Sequence, residues 1–417
     1  MHRRSNSNQR LPRGWMHGVA ALLLSGLLAA CAPTATPPAT PAVAVAALTP
    51  GAATPTPTVR PTTVPASPTP TSAPTHTPTP TVRPSDTPSP TVLPSATPSP
   101  TFTPAPTATP TSTLGSYAGL SIDDLAARPY GVGCVPDEAQ NTACLRIQQV
   151  LNVTDAFTRT LITYPSDGLN IVGFMNTPKG AGPFPVIVLL HGYVEPARFR
   201  TLTYTTRYAD QLARAGYLVI HPNLRNFPPS DNGPDPFRTG LASDVLNLLA
   251  LVRQQGAQPG PLLLADPGHI GLWGHSMGGG ITQRVITVDP NAVQAAVLYG
   301  SMSGDEVKNY QAIQRWSGGQ RGLPELEAPA EVVQQIAPIY YRDRIQTPVS
   351  VHHGAQDRTV PLAWSTELCE DLTARGKSVE CFTYPGQDHT FAGEGDRLFM
   401  QRVREFFDRT LRPAPSD

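Results

Sequence analysis

Charged and aromatic side chains are scarce in this sequence, and the marks of several protein classes are missing. Only 15% of the 417 residues are charged and 7% are aromatic. No basic cluster occurs beyond the extreme N-terminus, which argues against nucleic-acid binding. The H-E-x-x-H motif of zinc enzymes is missing, and no apolar run reaches the roughly 20 residues of a membrane-spanning helix. The sequence therefore predicts no metal, no other cofactor and no spanning helix.

Proline, by contrast, is abundant, and much of it lies in one segment. Residues 32–115 hold 23 prolines and 24 threonines in 84 positions, and Thr81–Pro90 is nearly repeated in Thr91–Pro100. Such a composition cannot bury a core, so we predict a disordered linker over residues 31–115. Polyproline II geometry would extend it to at most roughly 260 Å, at about 3.1 Å per residue. A stalk, an O-glycosylated arm and a plain spacer all fit this composition.

The first 30 residues are typical of an export signal. Arginines such as Arg3 and Arg4 precede an apolar run over Val19–Ala30. This run is too short to span a bilayer, and it ends in a segment, Leu28–Cys31, that resembles the bacterial lipobox. The resemblance implies cleavage before Cys31, acylation of its thiol and a membrane-anchored lipoprotein outside the cytoplasm. An ordinary secretory signal, with an incidental cysteine, is the alternative.

Four further cysteines form two local pairs in the sequence. In an exported protein they are available for disulfides. Three pairings are possible, and the short loops and the predicted strands favour the local one; four buried free thiols are the alternative. The predicted bonds are Cys134 with Cys144 and Cys369 with Cys381.

Residues 116–417 have the composition of one large domain. Six arginines and one aspartate lie before residue 116, so this part carries 25 basic and 30 acidic side chains, a net charge of −5. Apolar runs typical of buried strands alternate with helical stretches, which predicts a mostly parallel sheet covered on both faces by helices. A hairpin from Ala156–Pro165 and Leu169–Pro178 is expected to supply an antiparallel edge. The other predicted strands are Pro185–Leu190, Tyr217–His221, Ile270–Gly274, Ala295–Tyr299, Val349–His352 and Val379–Tyr384.

One predicted strand, Ile270–Gly274, leads directly into the motif Gly274-His-Ser-Met-Gly278 and then into a helical pattern. This is the G-x-S-x-G nucleophile elbow in its strand, turn and helix context. The glycines leave room for the reversal of the chain, and the turn exposes the hydroxyl of Ser276 near a helix N-terminus. Ser276 is therefore the predicted nucleophile.

A serine nucleophile needs a base and an acid, and the expected chain order is serine, acid, histidine. His389 follows the last predicted strand, and Asp357 follows the strand before it. Asp305 and Asp388 are weaker candidates for the acid. His353 precedes the acid by four residues and is more typical of a structural histidine at a strand end.

The oxyanion that forms during attack on a carbonyl needs backbone donors. We predict the N–H of Met277, at the helix start, and the N–H of Tyr193, in the loop after Leu190. His191 precedes Tyr193 in the same loop, where packing beneath the elbow is the favoured role for its ring.

The quoted motifs, together with Ala337–Tyr341, Val360-Pro361 and Tyr384–Gly386, resemble the catalytic domain of the prolyl oligopeptidase family over roughly residues 155 to 412. The resemblance implies an α/β-hydrolase fold and a serine peptidase acting through an acyl-enzyme. His275 and Met277 depart from the family's usual elbow and are common in lipases and esterases, so a carboxylesterase is the alternative. A binding module without catalysis would be expected to lack parts of the triad.

Residues 301–335 form an insertion after the strand Ala295–Tyr299. It is expected to form a short lid, with Trp316 and Tyr310 either near the acyl pocket or packed beneath the lid. The expected partners are a small ester or peptide substrate and the membrane, and nothing in the sequence specifies an oligomeric state.

Overall fold

A computed structural model of the chain describes residues 117–135 and 142–412. The predicted signal (1–30), linker (31–115) and lipidation site (Cys31) lie outside the described residues. Within the described part of the chain, no helix has the length and apolar character needed to cross a membrane.

The described residues form one nine-stranded mixed sheet with helices on both faces, as the sequence predicts. The strand order is β1-β2-β3-β5-β4-β6-β7-β8-β9. Neighbours from β5 through β9 pair in parallel, whereas β1, β2 and β3 pair antiparallel and β3 joins β5 antiparallel. The strands are β1 (Arg146–Val153), β2 (Phe157–Ser166), β3 (Leu169–Pro178), β4 (Phe184–Leu190), β5 (Leu218–Pro222), β6 (Ala265–His275), β7 (Ala295–Tyr299), β8 (Val349–Gly354) and β9 (Val379–Tyr384).

The central strands are buried because helices cover both faces of the sheet. On β4, Val186 and Val188 face one apolar cluster, and Ile187 and Leu189 face another. This alternation is the period of two that side chains follow along a strand. The helices are α1 (Ile122–Ala127), α2 (Thr206–Arg214), α3 (Thr239–Gln255), α4 (Met277–Val288), α5 (Glu306–Trp316), α6 (Leu323–Leu326), α7 (Ala330–Ile336), α8 (Leu362–Ala374) and α9 (Gly393–Leu411).

The predicted hairpin of β2 and β3 is present on the antiparallel side of the sheet, and one strand that the sequence does not predict lies outside it. β1 pairs with β2 and occupies the edge of the sheet. Its pairing slips between Ile147 and Gln149 and again between Val150 and Asn152. These irregularities and the exposure of most β1 side chains remove the apolar alternation by which a strand is recognised in a sequence.

The insertion between β7 and β8 folds into α5, α6 and α7 around a small apolar cluster of its own. At its base the buried carboxylate of Glu306 lies between two arginines, Arg238 and Arg284. Tyr310 belongs to this cluster, with its ring 5.6 Å from that of Phe237. Tyr310 therefore packs beneath the insertion, which decides between its two predicted roles.

Both predicted local disulfides are formed. Cys134 is bonded to Cys144 across a separation of 10 residues, and Cys369 to Cys381 across 12. The second bond ties α8 to the edge strand β9.

Candidate active site

The elbow after β6 has the strained backbone that the motif predicts. Ser276 has φ 55° and ψ −114°, and α4 begins at the next residue. Such a conformation costs of the order of 1–3 kcal/mol in a non-glycine residue, and the surrounding structure must hold it. The Ser276 N–H donates to the carbonyl of Tyr299, and the Ser276 carbonyl accepts from the N–H of Met302. These backbone hydrogen bonds hold Ser276, the predicted nucleophile, at the carboxyl edge of the sheet.

The glycines of the elbow are required by close contacts. A Cβ at Gly278 would lie 2.3 Å from the carbonyl oxygen of Leu190, and one at Gly274 would lie 2.3 Å from that of Gly278. A side chain at Gly278 would push α4 away from the end of β4, and one at Gly274 would push α4 away from β6.

Asp357 and His389 meet at the ends of two neighbouring strands, β8 and β9. Nδ1 of His389 lies 2.7 Å from Oδ2 of Asp357. The other carboxylate oxygen accepts from the backbone N–H groups of Thr359 and Val360, both at 2.8 Å. Because a carboxylate accepts, Nδ1 carries the proton and donates it, which leaves Nε2 of His389 as the basic atom.

The environment of Asp357 favours its charged form. Its side chain has no exposed surface. Burial opposes ionisation, but hydrogen bonds from His353 and His389 more than offset it and lower the pKa of Asp357 below its ordinary value. The carboxylate can therefore stabilise an imidazolium at His389 during turnover.

The competing acids occupy other roles. Asp305 caps α5 by accepting from the N–H groups of Val307 and Lys308. Asp388 accepts from the backbone N–H groups of Arg358 and His389, so it shapes the loop and does not bond to the imidazole. The geometry thus supports Asp357.

His353 is buried, as expected of a structural histidine, but it also contacts Asp357, the predicted acid. Its Nδ1 lies 2.7 Å from Oγ of Ser365, and its Nε2 lies 3.2 Å from Oδ2 of Asp357. Sequence reasoning missed this contact, although the four-residue spacing from Asp357 was a usable signal.

The loop after β4 presents its backbone to Ser276. A Cβ at Gly192 would lie 3.0 Å from the Cβ of Ser276, so only glycine brings the loop this close. The Gly192 N–H donates to the hydroxyl of Tyr204. Within the described residues, the N–H groups of Tyr193 and Met277 have no protein acceptor, which leaves both predicted donors available to an oxyanion.

His191 is fully buried, and burial lowers its pKa. Its ring nitrogens lie 2.7 Å from the carbonyl oxygens of Gly192 and Asn223. The ring thus packs within the loop, in agreement with the favoured prediction.

Serine and histidine are not yet joined in this conformation. Among the described residues, no hydrogen bond links Oγ of Ser276 to Nε2 of His389. The histidine before the nucleophile does contact the base, since the rings of His275 and His389 have centroids 4.6 Å apart. Catalytic hydrogen bonds of this kind often tighten only when substrate binds.

An aromatic and charged cluster borders the oxyanion loop, which is the segment of residues 191–195 that follows β4 and carries the predicted donor Tyr193. Trp316 is 62% exposed, and its ring lies edge-on to Tyr193 at 5.2 Å. Arg321 bonds to the hydroxyl of Tyr193 and forms a 3.2 Å ion pair with Glu195. The insertion therefore touches the loop that carries a predicted oxyanion donor.

In the described part of the chain, no group of three or more His, Cys, Asp or Glu side chains is placed to hold a metal ion.

Most of the described part of the chain matches a known protein family. The model of the dienelactone hydrolase family matches residues 171–406, a span that is more than half of the chain and includes Ser276, Asp357 and His389. A Synechocystis protein provisionally named carboxymethylenebutenolidase is 25% identical in an alignment 273 residues long that covers 61% of this chain and 97% of that protein. The uncharacterized peptidase YtmA of Bacillus subtilis is 26% identical over 59% of this chain and 91% of its own length.

Larger peptidases are similar to this chain over part of their length. Dipeptidyl aminopeptidase BIII of Pseudoxanthomonas mexicana is 22% identical, and the match covers 58% of this chain but 36% of that protein. The acylaminoacyl peptidase of Pyrococcus horikoshii superposes with a TM-score of 0.51 at 22% identity, over 63% of this chain and 43% of that one. At this identity the structural likeness establishes the α/β-hydrolase fold.

Proposed function

The chain belongs to the dienelactone hydrolase family, and from this premise we propose that it hydrolyses carboxylic esters through an acyl-enzyme on Ser276. The observation that carries the proposal is the 2.7 Å contact of Asp357 with His389 at the sheet edge where the strained Ser276 lies. These are the parts that make a serine hydroxyl nucleophilic.

The reaction follows from the positions of these groups. Oγ of Ser276 attacks the carbonyl carbon of the ester while Nε2 of His389 takes its proton, and Asp357 stabilises the resulting imidazolium. The negative oxygen of the tetrahedral intermediate accepts from the N–H groups of Tyr193 and Met277. The intermediate collapses to the acyl-enzyme as His389 returns the proton to the departing alkoxide. Water, deprotonated by His389, then releases the acid and regenerates Ser276.

We propose ester hydrolysis as the first candidate and peptide hydrolysis as the second, although the sequence resemblance favours a peptidase. The family model is named for the hydrolysis of a lactone, which is a cyclic ester. A relative with an ester-hydrolase name is matched over 97% of its length, whereas dipeptidyl aminopeptidase BIII is matched over 36%. Peptide hydrolysis is the second candidate, because the similarity to YtmA covers 91% of that peptidase.

The experiment uses the full chain and a panel of substrates. A fluorophosphonate probe should label the wild type at Ser276 and fail to label Ser276→Ala. Turnover of p-nitrophenyl esters, acetate to octanoate, is compared with that of aminoacyl and prolyl p-nitroanilides. Turnover of esters without turnover of anilides supports the proposal, whereas turnover of anilides, which are intrinsically less reactive, replaces it by the peptidase. No labelling of the folded wild type would refute both candidates.

We further propose that Cys31 is acylated and holds the enzyme on the outer face of a membrane. The support is the Leu28–Cys31 segment at the end of the apolar run. Two or three acyl chains give stable anchoring, at about 0.8 kcal/mol for each buried CH₂ group. Expression with a labelled fatty acid should tag the wild type but not Cys31→Ser. An unmodified Cys31 in a wholly soluble exported protein would refute the anchor and leave the hydrolase proposal untouched.

A further inference from the structure

A chain of three hydrogen bonds connects the oxyanion loop to the loop that carries the base. The Gly192 N–H donates to the hydroxyl oxygen of Tyr204 at 2.9 Å. The Tyr204 hydroxyl lies 2.5 Å from Nδ1 of His275, and Nε2 of His275 lies 2.9 Å from the carbonyl oxygen of His389. The connection thus runs from the loop after β4, through the elbow, to His389, the proposed base in the loop after β9.

The chemistry of the groups gives each bond one direction. The His389 carbonyl can only accept, so Nε2 of His275 carries the proton and donates it. Nδ1 of His275 is then an acceptor, and the Tyr204 hydroxyl donates to it. The oxygen of Tyr204 keeps lone pairs with which it accepts from Gly192.

Both side chains of this connection stay neutral over the working pH range. Burial, and secondly the nearby His389, lower the pKa of His275 to about 3. Burial raises the pKa of the Tyr204 hydroxyl. His275 therefore places no positive charge beside the imidazolium that forms on His389 during turnover.

We propose that Tyr204 and His275 form a positioning pair. The pair fixes the positions of the oxyanion loop and of the loop that carries His389 relative to Ser276. The inference rests on the proposed function, because it concerns the same reaction. Neither side chain reacts: His275 holds the backbone of His389 and packs beside its ring, with centroids 4.6 Å apart.

Tyr204 acts at the other end of the connection. By engaging the Gly192 N–H it holds a backbone unit whose Cβ position lies 3.0 Å from the Cβ of Ser276. The next N–H along the chain, that of Tyr193, is the predicted oxyanion donor. A shift of this loop therefore changes stabilisation of the transition state more than binding of the substrate.

The test compares two tyrosine hydroxyls that each bond to a buried histidine. Tyr204→Phe removes the hydroxyl of the positioning pair. Tyr384→Phe is the matched control, because the Tyr384 hydroxyl lies 2.8 Å from Nδ1 of His352 on β8 and has no part in the connection. We expect both variants to lose similar stability in urea. Only Tyr204→Phe should lose kcat, about 10- to 100-fold on a p-nitrophenyl ester, with KM changed less than about twofold.

Substitutions at His275 give a second, independent measurement. His275→Gln keeps an N–H group able to reach the His389 carbonyl, whereas His275→Leu, of similar size, does not. We expect kcat to be substantially higher in the glutamine variant than in the leucine variant. If Tyr204→Phe does not fold, this pair decides the question alone.

The outcomes separate the two proposals. A wild type that labels and turns over, with kcat unchanged in Tyr204→Phe or equal in the two His275 variants, overturns the positioning pair alone. A folded wild type that neither labels nor hydrolyses esters or anilides overturns the proposed function, and the positioning pair with it.

Discussion

Gly300 offers a way to disturb the acid and base without replacing either. It follows β7 with φ +48°, and its N–H donates to the carbonyl of His352 at 2.8 Å. A Cβ here would lie 3.2 Å from Nδ1 of His389 and 3.4 Å from Oδ2 of Asp357. The hydrogen bond between these two groups passes directly in front of the missing side chain.

We expect Gly300→Ala to cost stability and, separately, catalysis. The left-handed backbone costs an alanine about 1–2 kcal/mol, lost from the free energy of unfolding. The crowded His389 ring must move by a few tenths of an ångström, which weakens its 2.7 Å contact with Asp357. Misplacement on this scale should lower kcat by about 10-fold, since a shift of 1 Å costs about 100-fold.

Gly376→Ala separates the two effects. Gly376 follows α8 with φ +65°, and no heavy atom lies within 4 Å of where its Cβ would be. Urea unfolding should show a similar loss for both variants, while turnover of p-nitrophenyl acetate should fall only in Gly300→Ala. A Gly300→Ala enzyme with wild-type kcat would refute the argument that this position controls the pairing of acid and base.

Three further outcomes test other parts of the description. Asp357→Asn should lower kcat by about 10⁴-fold, whereas Asp305→Asn, at the cap of α5, should leave kcat unchanged; the reverse result would reassign the acid. Burial lowers the pKa values of His221, His275 and His352 from 6.5 to about 3, so the unfolded state binds more protons between these values and stability falls as pH drops below 6.5. Each histidine should lower the free energy of unfolding by about 2 kcal/mol at pH 5. Asp235 offsets part of this loss, because burial raises its pKa to about 7 and its folded form therefore gains stability as the pH falls. Urea unfolding with no net loss of stability from pH 7 to pH 5 would contradict this balance. Replacing Cys369 and Cys381 together by alanine should cost up to about 3 kcal/mol in urea unfolding and leave kcat intact, and a loss of kcat would show that this disulfide also supports the site.

The sequence was sufficient for the features that depend on local pattern. Continuous apolar runs predicted the inner strands because both faces of the sheet are covered. The elbow was recognisable because its glycines, its strand and its helix are adjacent in the chain. Asp357 and His389 followed from the order of groups that the chemistry of Ser276 requires, and the structure brings these two residues together.

The remainder depends on contacts that no local pattern encodes. β1 was missed because an irregular, exposed edge strand lacks alternation. The link from Tyr204 through His275 to the His389 carbonyl joins three distant segments, and its direction follows from atoms that only the fold brings into contact. The burial of Tyr310 was undecided because the same aromatic residue suits a pocket or a core.

The sheet order has a consequence for how the enzyme matures. The three proposed catalytic residues follow β6, β8 and β9, and β7 separates the first two in the sheet. Their contacts are distant in sequence and form slowly, after costly loop closure. Ester turnover therefore requires that the parallel strands have paired as far as β9. During renaturation, activity should therefore return only once β9 has docked beside β8 and brought His389 to Asp357.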